Sequence, residues 1–167
     1  MQHRFPIHEL LREAHVDHAV MSNRSALTAQ TDTPDLHVRN SAKVVMYFVD
    51  DEAVEAVLPA SMTVNLDRLL DLARGRAIRP ARHEELERLF PGAEPGATSA
   101  SEPQHSPTVI VDVALAAEAE ILFNADVPED TLRIRWADFA ASVRPIVGRF
   151  AEPAVDRVGG FRLSYRE

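Results

Sequence analysis

The chain has 167 residues, 46% of them apolar, no cysteine, and a formal charge of −8 at pH 7. Without thiols there is no disulfide framework, no thiolate nucleophile and no cysteine-bound zinc. So negative a charge excludes a protein that grips long stretches of nucleic acid by their phosphates. No window approaches the roughly eighteen consecutive apolar residues of a membrane span, and Met1 to Pro6 lacks the apolar core of a signal peptide. The expectation is therefore one cytoplasmic globular domain with neither a membrane nor a DNA partner.

Pro6 at a first helical turn, followed by Ile7, Leu10, Leu11 and Ala14, predicts an amphipathic helix over residues 6–15. His15 and His18 are three apart, but no HExxH accompanies them, and they read as surface histidines rather than metal ligands. Val16 to Met21 reads as a short strand. A short helix over residues 25–30, capped by Ser22 or Ser25, is broken at Thr33-Pro34-Asp35. The next strand opens at Lys43, the single lysine in a chain that otherwise uses arginine, and continues through Val44-Val45-Met46-Tyr47-Phe48-Val49. A cation at the mouth of an apolar strand is either a solvated strand end or a charge aimed into a cleft. After Asp50-Asp51-Glu52, Val54 to Leu58 should return antiparallel until Pro59 removes a donor, and the two strands should form the centre of a sheet.

Asn65 predicts the cap of a helix over residues 65–74, with Leu66, Leu69, Leu70 and Ala73 on one face and Gly75 as a left-handed C-terminal cap. Arg74, Arg76, Arg79 and Arg82 then form either a solvated basic loop or a local landing patch for RNA phosphates. A second helix spans residues 81–90, with Leu86, Leu89 and Phe90 facing inward. From Pro91 to Pro107 the chain turns to glycine, proline, serine and threonine, too long for a plain connector and suited to backbone contact with a ligand. Strands follow over residues 108–113, 120–124 and 131–136, the last alternating Leu132, Ile134 and Trp136 against Arg133 and Arg135, one face buried and one wet. Asp138 caps a final helix carrying Phe139, Val143, Ile146, Val147 and Phe150 on one face, bent at Pro145. Residues 151–167 form a tail, with Phe161 to Tyr165 as a candidate edge strand.

Ser41-Ala42-Lys43-Val44-Val45, Ala56-Val57-Leu58-Pro59-Ala60, Val64 to Leu69, the Gly92/Gly96 loop and Val109 to Asp112 follow one another in an order that resembles the YbaK/ProX family. These are free-standing relatives of the editing domain inserted in bacterial prolyl-tRNA synthetases. The resemblance covers roughly residues 5–150. It implies an α/β fold over residues 1–150: a mixed, largely antiparallel sheet of six or seven strands with helices around it. It also implies hydrolysis of the ester of a mischarged aminoacyl-tRNA, by default a small amino acid on tRNA(Pro), with no cofactor and no metal. The partners implied are the acceptor end of the aminoacyl-tRNA and an aminoacyl-tRNA synthetase. Such an ester is already activated, so positioning and carbonyl polarisation suffice and no catalytic triad is needed.

By the same resemblance Lys43 acts as a point charge on the phosphate or ribose of the terminal adenosine. Backbone amides around Gly96, Ala97 and Thr98 hold the ester and the water, and Thr28, Gly92, Ser99 and Asp126 border the substrate. The chain departs from the family pattern at Val44, where a threonine is usual, at Ser99, where the loop lacks the family's proline pair, and at Asp126, which replaces a glycine. Two readings stay open: a deacylase with a shifted substrate, or a catalytically degenerate ligand-binding or interaction module with the same fold.

Overall fold

The computed structural model describes residues 19–22, 40–89, 107–124 and 130–154. Their elements run β1 (Ala19–Ser22), β2 (Ser41–Val49), β3 (Glu52–Pro59), β4 (Met62–Val64), α1 (Leu66–Ala73), β5 (Ile78–Pro80), α2 (His83–Leu89), β6 (Thr108–Asp112), α3 (Val113–Ala116), β7 (Glu120–Asn124), β8 (Asp130–Arg135), α4 (Trp136–Val143), β9 (Ile146–Gly148) and β10 (Ala151–Pro153). The main sheet has the order β1-β8-β7-β2-β3-β6-β9, with β5 joining β2 off that path, and β10 pairs with β4 in a separate ribbon. Three pairings, β2 with β7, β3 with β6 and β6 with β9, are parallel and the rest antiparallel, so the sheet is mixed and mostly antiparallel.

The β2–β3 hairpin stands at the centre of the sheet, as its alternating β-branched and aromatic residues predict. Asp50 and Asp51 turn it at φ of 48° and 72°. Two successive positive φ angles define the two-residue hairpin whose twist matches that of the strands, and Asp tolerates them better than most residues.

Cross-strand register divides the side chains between two cores. On one face Ala42, Val57, Val111, Phe123, Leu132 and Ile134 meet Leu115 of α3 and Phe139 of α4. Phe139 is fully buried, its ring 6.0 Å from Phe123 and 5.9 Å from Trp136. On the other face Tyr47, Val49, Ala56, Leu58 and Ile110 pack beneath Leu69 of α1 and Phe150. At eight residues α1 is too short to persist alone. Full burial of Leu69, worth about 2 kcal/mol, fixes it to the sheet together with Leu70, Leu72 and Ala73. Asn65 caps it by accepting the Arg68 N–H at 3.1 Å and donates to Glu152 at 2.9 Å, joining the helix start to β10.

Four local expectations change. Arg74, at φ 55°, takes the left-handed cap position expected of Gly75. Gly75 is required instead by space, since a Cβ there would overlap Val49 and lie 3.1 Å from Leu70. The second helix is shorter, His83 to Leu89, with Leu86 half-buried. The strand ending at Val113 stops at Asp112, whose side chain caps the single turn α3. The final helix starts at Trp136, where the strand was expected to end, with Arg135 and not Asp138 at the N-cap position, and it ends at Val143. Arg144 caps it in the left-handed conformation (φ 51°), its N–H bonded to the Ala140 carbonyl, Pro145 cannot continue the helix, and the β-branched pair Ile146-Val147 then enters the sheet as β9. The expected helices over residues 6–15 and 25–30, most of the glycine-rich loop and the Phe161–Tyr165 stretch lie outside the described residues.

Candidate functional site

The two edges of β2 are used differently. Its pairing with β3 runs unbroken from Ala42 to Val49. On the opposite edge β7 pairs in parallel with Ser41 and Ala42, and β5 pairs antiparallel with Tyr47 to Val49. Lys43, Val44, Val45 and Met46 occupy the interval between these two partners. The Ser41 carbonyl accepts the Ala60 N–H at 2.8 Å, just beyond the end of β3, whereas the Asn40 and Met46 carbonyls accept the Leu122 and Ala81 N–H groups at 2.9 and 3.1 Å on the other side. Peptide groups alternate along an extended strand, so Val44, in phase with Asn40 and Met46, directs its own N–H and C=O into the interval.

Side chains alternate too. Lys43 is half-buried and shares a face with Ser41 and, by register, with Leu58 and Leu122. It stands where the core under α1 gives way to the β7–β8 half of the sheet. Val44 points to the opposite face and packs against the first core with Trp136 and Val143. Valine at this position is a packing residue, and a hydroxyl there would face apolar side chains rather than the Lys43 side.

Gly96, Ala97, Thr98, Thr28, Gly92, Ser99 and Asp126 lie outside the described residues, so Lys43 is the one predicted site residue whose surroundings can be given. Among the described residues no cluster of histidine, aspartate and glutamate suits a metal ion, and no helix is long and apolar enough to cross a membrane.

The arginine cluster divides between structural and solvent-facing roles. Arg79 makes a two-pronged contact with Glu85, at 2.8 and 2.6 Å, and lies over the Phe48 ring at 4.7 Å. The Arg79 hydrogen bonds, reinforced by the Arg82 N–H, hold the Glu85 carboxyl down at about 2. Arg74 supplies the helix cap, and the Arg76 and Ala77 N–H groups donate to the Asp50 carboxylate at 2.8 and 2.9 Å. An open groove of about 510 Å³ lies here, lined by Phe48, Asp50, Asp51, Arg76, Ala77, Ile78 and Arg79. Seven residues of strand, about 23 Å at ~3.3 Å each, separate Lys43 from Asp50. The groove is therefore not the Lys43 site, and its two aspartates oppose an anionic ligand.

Asp112, which belongs to the family-like strand, is 2% exposed and accepts three backbone N–H groups, from Ala114 at 2.9 Å, Phe150 at 2.9 Å and Ala151 at 2.8 Å. Those bonds make it a structural staple between β6, α3 and β10. Sequence reasoning singled out Arg133 and Arg135 only as the wet side of a strand. They emerge on the same face of the sheet as Lys43, in ion pairs with Glu120 at 3.2 Å and Asp138 at 2.7 Å.

Comparison with known proteins bears on the fold. The family model for the aminoacyl-tRNA editing domain matches residues 23–141. No curated protein matches the chain. Among solved structures, the hypothetical protein APE2540 superimposes with a TM-score of 0.61 at 13% identity, over 89% of this chain and 100% of that one. A candidate trans-editing enzyme for prolyl tRNA synthetase gives 0.61 at 15% identity, over 88% and 95%. A candidate signal transduction protein from Marinobacter aquaeolei VT8 gives 0.63 at 14% identity, over 89% of this chain but 31% of that one. At such identities these likenesses establish the fold.

Proposed function

This chain belongs to the aminoacyl-tRNA editing domain family, and from that membership we propose that it is a trans-acting deacylase. Its reaction is hydrolysis of the ester of a mischarged aminoacyl-tRNA, with a small amino acid on tRNA(Pro) as the default substrate. The observation that carries the reading is the position of the sole lysine: half-buried, on β2, in the interval where β7 has ended and β5 has not begun. Only the acceptor end of the tRNA needs to reach that interval, which suits a chain of charge −8. An aminoacyl-tRNA synthetase is the further partner that this role implies.

In this mechanism the Lys43 ammonium pairs with the phosphate, or donates hydrogen bonds to the ribose oxygens, of the terminal adenosine and fixes the ester beside the sheet. Backbone amides around Gly96, Ala97 and Thr98 polarise the ester carbonyl, and Thr28, Gly92, Ser99 and Asp126 border the amino acid. Water adds its oxygen to the carbonyl carbon. The bond from that carbon to the ribose oxygen then breaks, the ribose oxygen takes a proton that water gave up, and a free amino acid leaves.

The test is deacylation of Ala-tRNA(Pro), Cys-tRNA(Pro) and a panel of other mischarged tRNAs by the wild type and by Lys43→Ala. Turnover by the wild type and a loss of roughly 10²-fold in the variant are expected, the scale on which misplacing a bound substrate by about 1 Å slows its reaction. A folded, monodisperse wild type that leaves every ester intact refutes the proposal. The second reading, a non-catalytic binding module, then takes its place. It is favoured by the occurrence of this fold as part of a longer candidate signal transduction protein.

A further inference from the structure

We propose that the two exposed arginines of β8, Arg133 and Arg135, are phosphate contacts for the RNA strand that leads to the ester; the inference rests on the deacylase reading above. Strand β8 has two unlike faces. Leu132 and Ile134 are buried in the first core, at 0% and 1% exposure, whereas the Arg133 and Arg135 side chains are 49% and 71% exposed on the other side.

Register ties that side to the candidate site. Arg133 stands opposite Leu122 of β7, and Leu122 stands opposite Ser41 of β2, so the three form one row across the sheet. Lys43 lies two residues further along β2 on the same face. With strands ~4.8 Å apart and ~3.3 Å of rise per residue, Arg133 and Lys43 are about 12 Å apart at their backbones. Leu122, in the row between them, is buried, so the exposed anchors for RNA here are the β8 arginines themselves.

The chemistry fits an RNA phosphate. A guanidinium presents paired donors to an anionic oxygen pair. Each arginine is held toward solvent by one carboxylate, Glu120 for Arg133 and Asp138 for Arg135. Exposed ion pairs of this kind are weak, so a phosphate can replace the carboxylate at small cost. Among the described residues here the three cations Lys43, Arg133 and Arg135 outnumber the two carboxylates Glu120 and Asp138, a small local positive excess on an acidic protein. Arg79 makes a contrast: two hydrogen bonds to Glu85 and the Phe48 ring hold it, and Asp50 and Asp51 line the groove beside it.

The experiment measures binding of uncharged tRNA by fluorescence anisotropy across a potassium chloride series, which needs no turnover. Wild type is compared with the double variant Arg133→Gln/Arg135→Gln and with Arg88→Gln as a control at an exposed arginine of α2. The double variant should bind about tenfold or more weakly, and its log–log salt slope should fall by about 1.4, roughly 0.7 for each single-strand phosphate contact. Arg88→Gln should match the wild type. For an ester that the wild type hydrolyses, KM should rise while kcat holds, because these arginines position the RNA and do not touch the reacting atoms. Equal affinity and slope in the double variant, or no tRNA binding by the wild type, overturns the proposal. Arginine-dependent binding with no turnover of any ester supports this surface and counts against the deacylase reading alone.

Discussion

Replacing Asp112 with alanine should cost this fold more than most single changes. Its carboxylate is nearly inaccessible and accepts three backbone N–H groups, two of which, from Phe150 and Ala151, are buried. Alanine strands both buried donors, at about 1–3 kcal/mol each. It also removes the cap of α3, worth about 1 kcal/mol. The sum is roughly 3–7 kcal/mol, set against the 5–15 kcal/mol that typically holds a domain together. For a chain of this length that corresponds to a fall in Tm of about 10–20 °C. Asp112→Asn keeps one acceptor oxygen and should lose less. Thermal denaturation followed by circular dichroism gives the shift, and hydrogen exchange should show the Phe150 and Ala151 amides losing protection before the rest of the sheet. A shift under about 3 °C in Asp112→Ala, with those amides still protected, would refute the staple role.

At Gly75 an alanine Cβ would overlap Val49, itself only 5% exposed, so Gly75→Ala should destabilise by about 1–3 kcal/mol; unchanged denaturant midpoints would show that β2 and the helix end can separate freely. Glu85 titrates at about 2 in the folded chain against 4.5 for the free group, a depressed carboxyl whose contribution is present above the higher value and fades as pH falls through the lower. Glu85→Gln should therefore lower Tm at pH 7, and the gap to wild type should narrow between pH 4.5 and pH 2; a gap independent of pH would mean that the Arg79 pair adds nothing to stability.

Elements with strong local patterns were legible before any coordinates. The run from Ser41 to Val49, its return through Val54 to Leu58, the cap at Asn65 and the strand Glu120 to Asn124 all stand where residue type and period put them. Strands β4, β5 and β9, of three residues each, were not legible, because so short a segment has no period and exists only where a neighbour offers a free edge. The long final helix was misread for a related reason. Phe139, Val143, Ile146, Val147 and Phe150 keep helical spacing, but the proline at 145 forbids continuation and the edge of β6 captures the two β-branched residues beyond it.

For the candidate site the division is similar. An unusual residue count marked Lys43, and the ordered family-like segments marked the fold, since both are properties of the chain alone. That Lys43 falls between the ends of two strands, that Val44 faces the opposite core, and that Arg133 and Arg135 share the lysine's face are consequences of strand order and register. A shift of one residue in pairing would exchange the two faces of a strand, so which charges stand together is decided by the tertiary pairing and not by the residues that carry them.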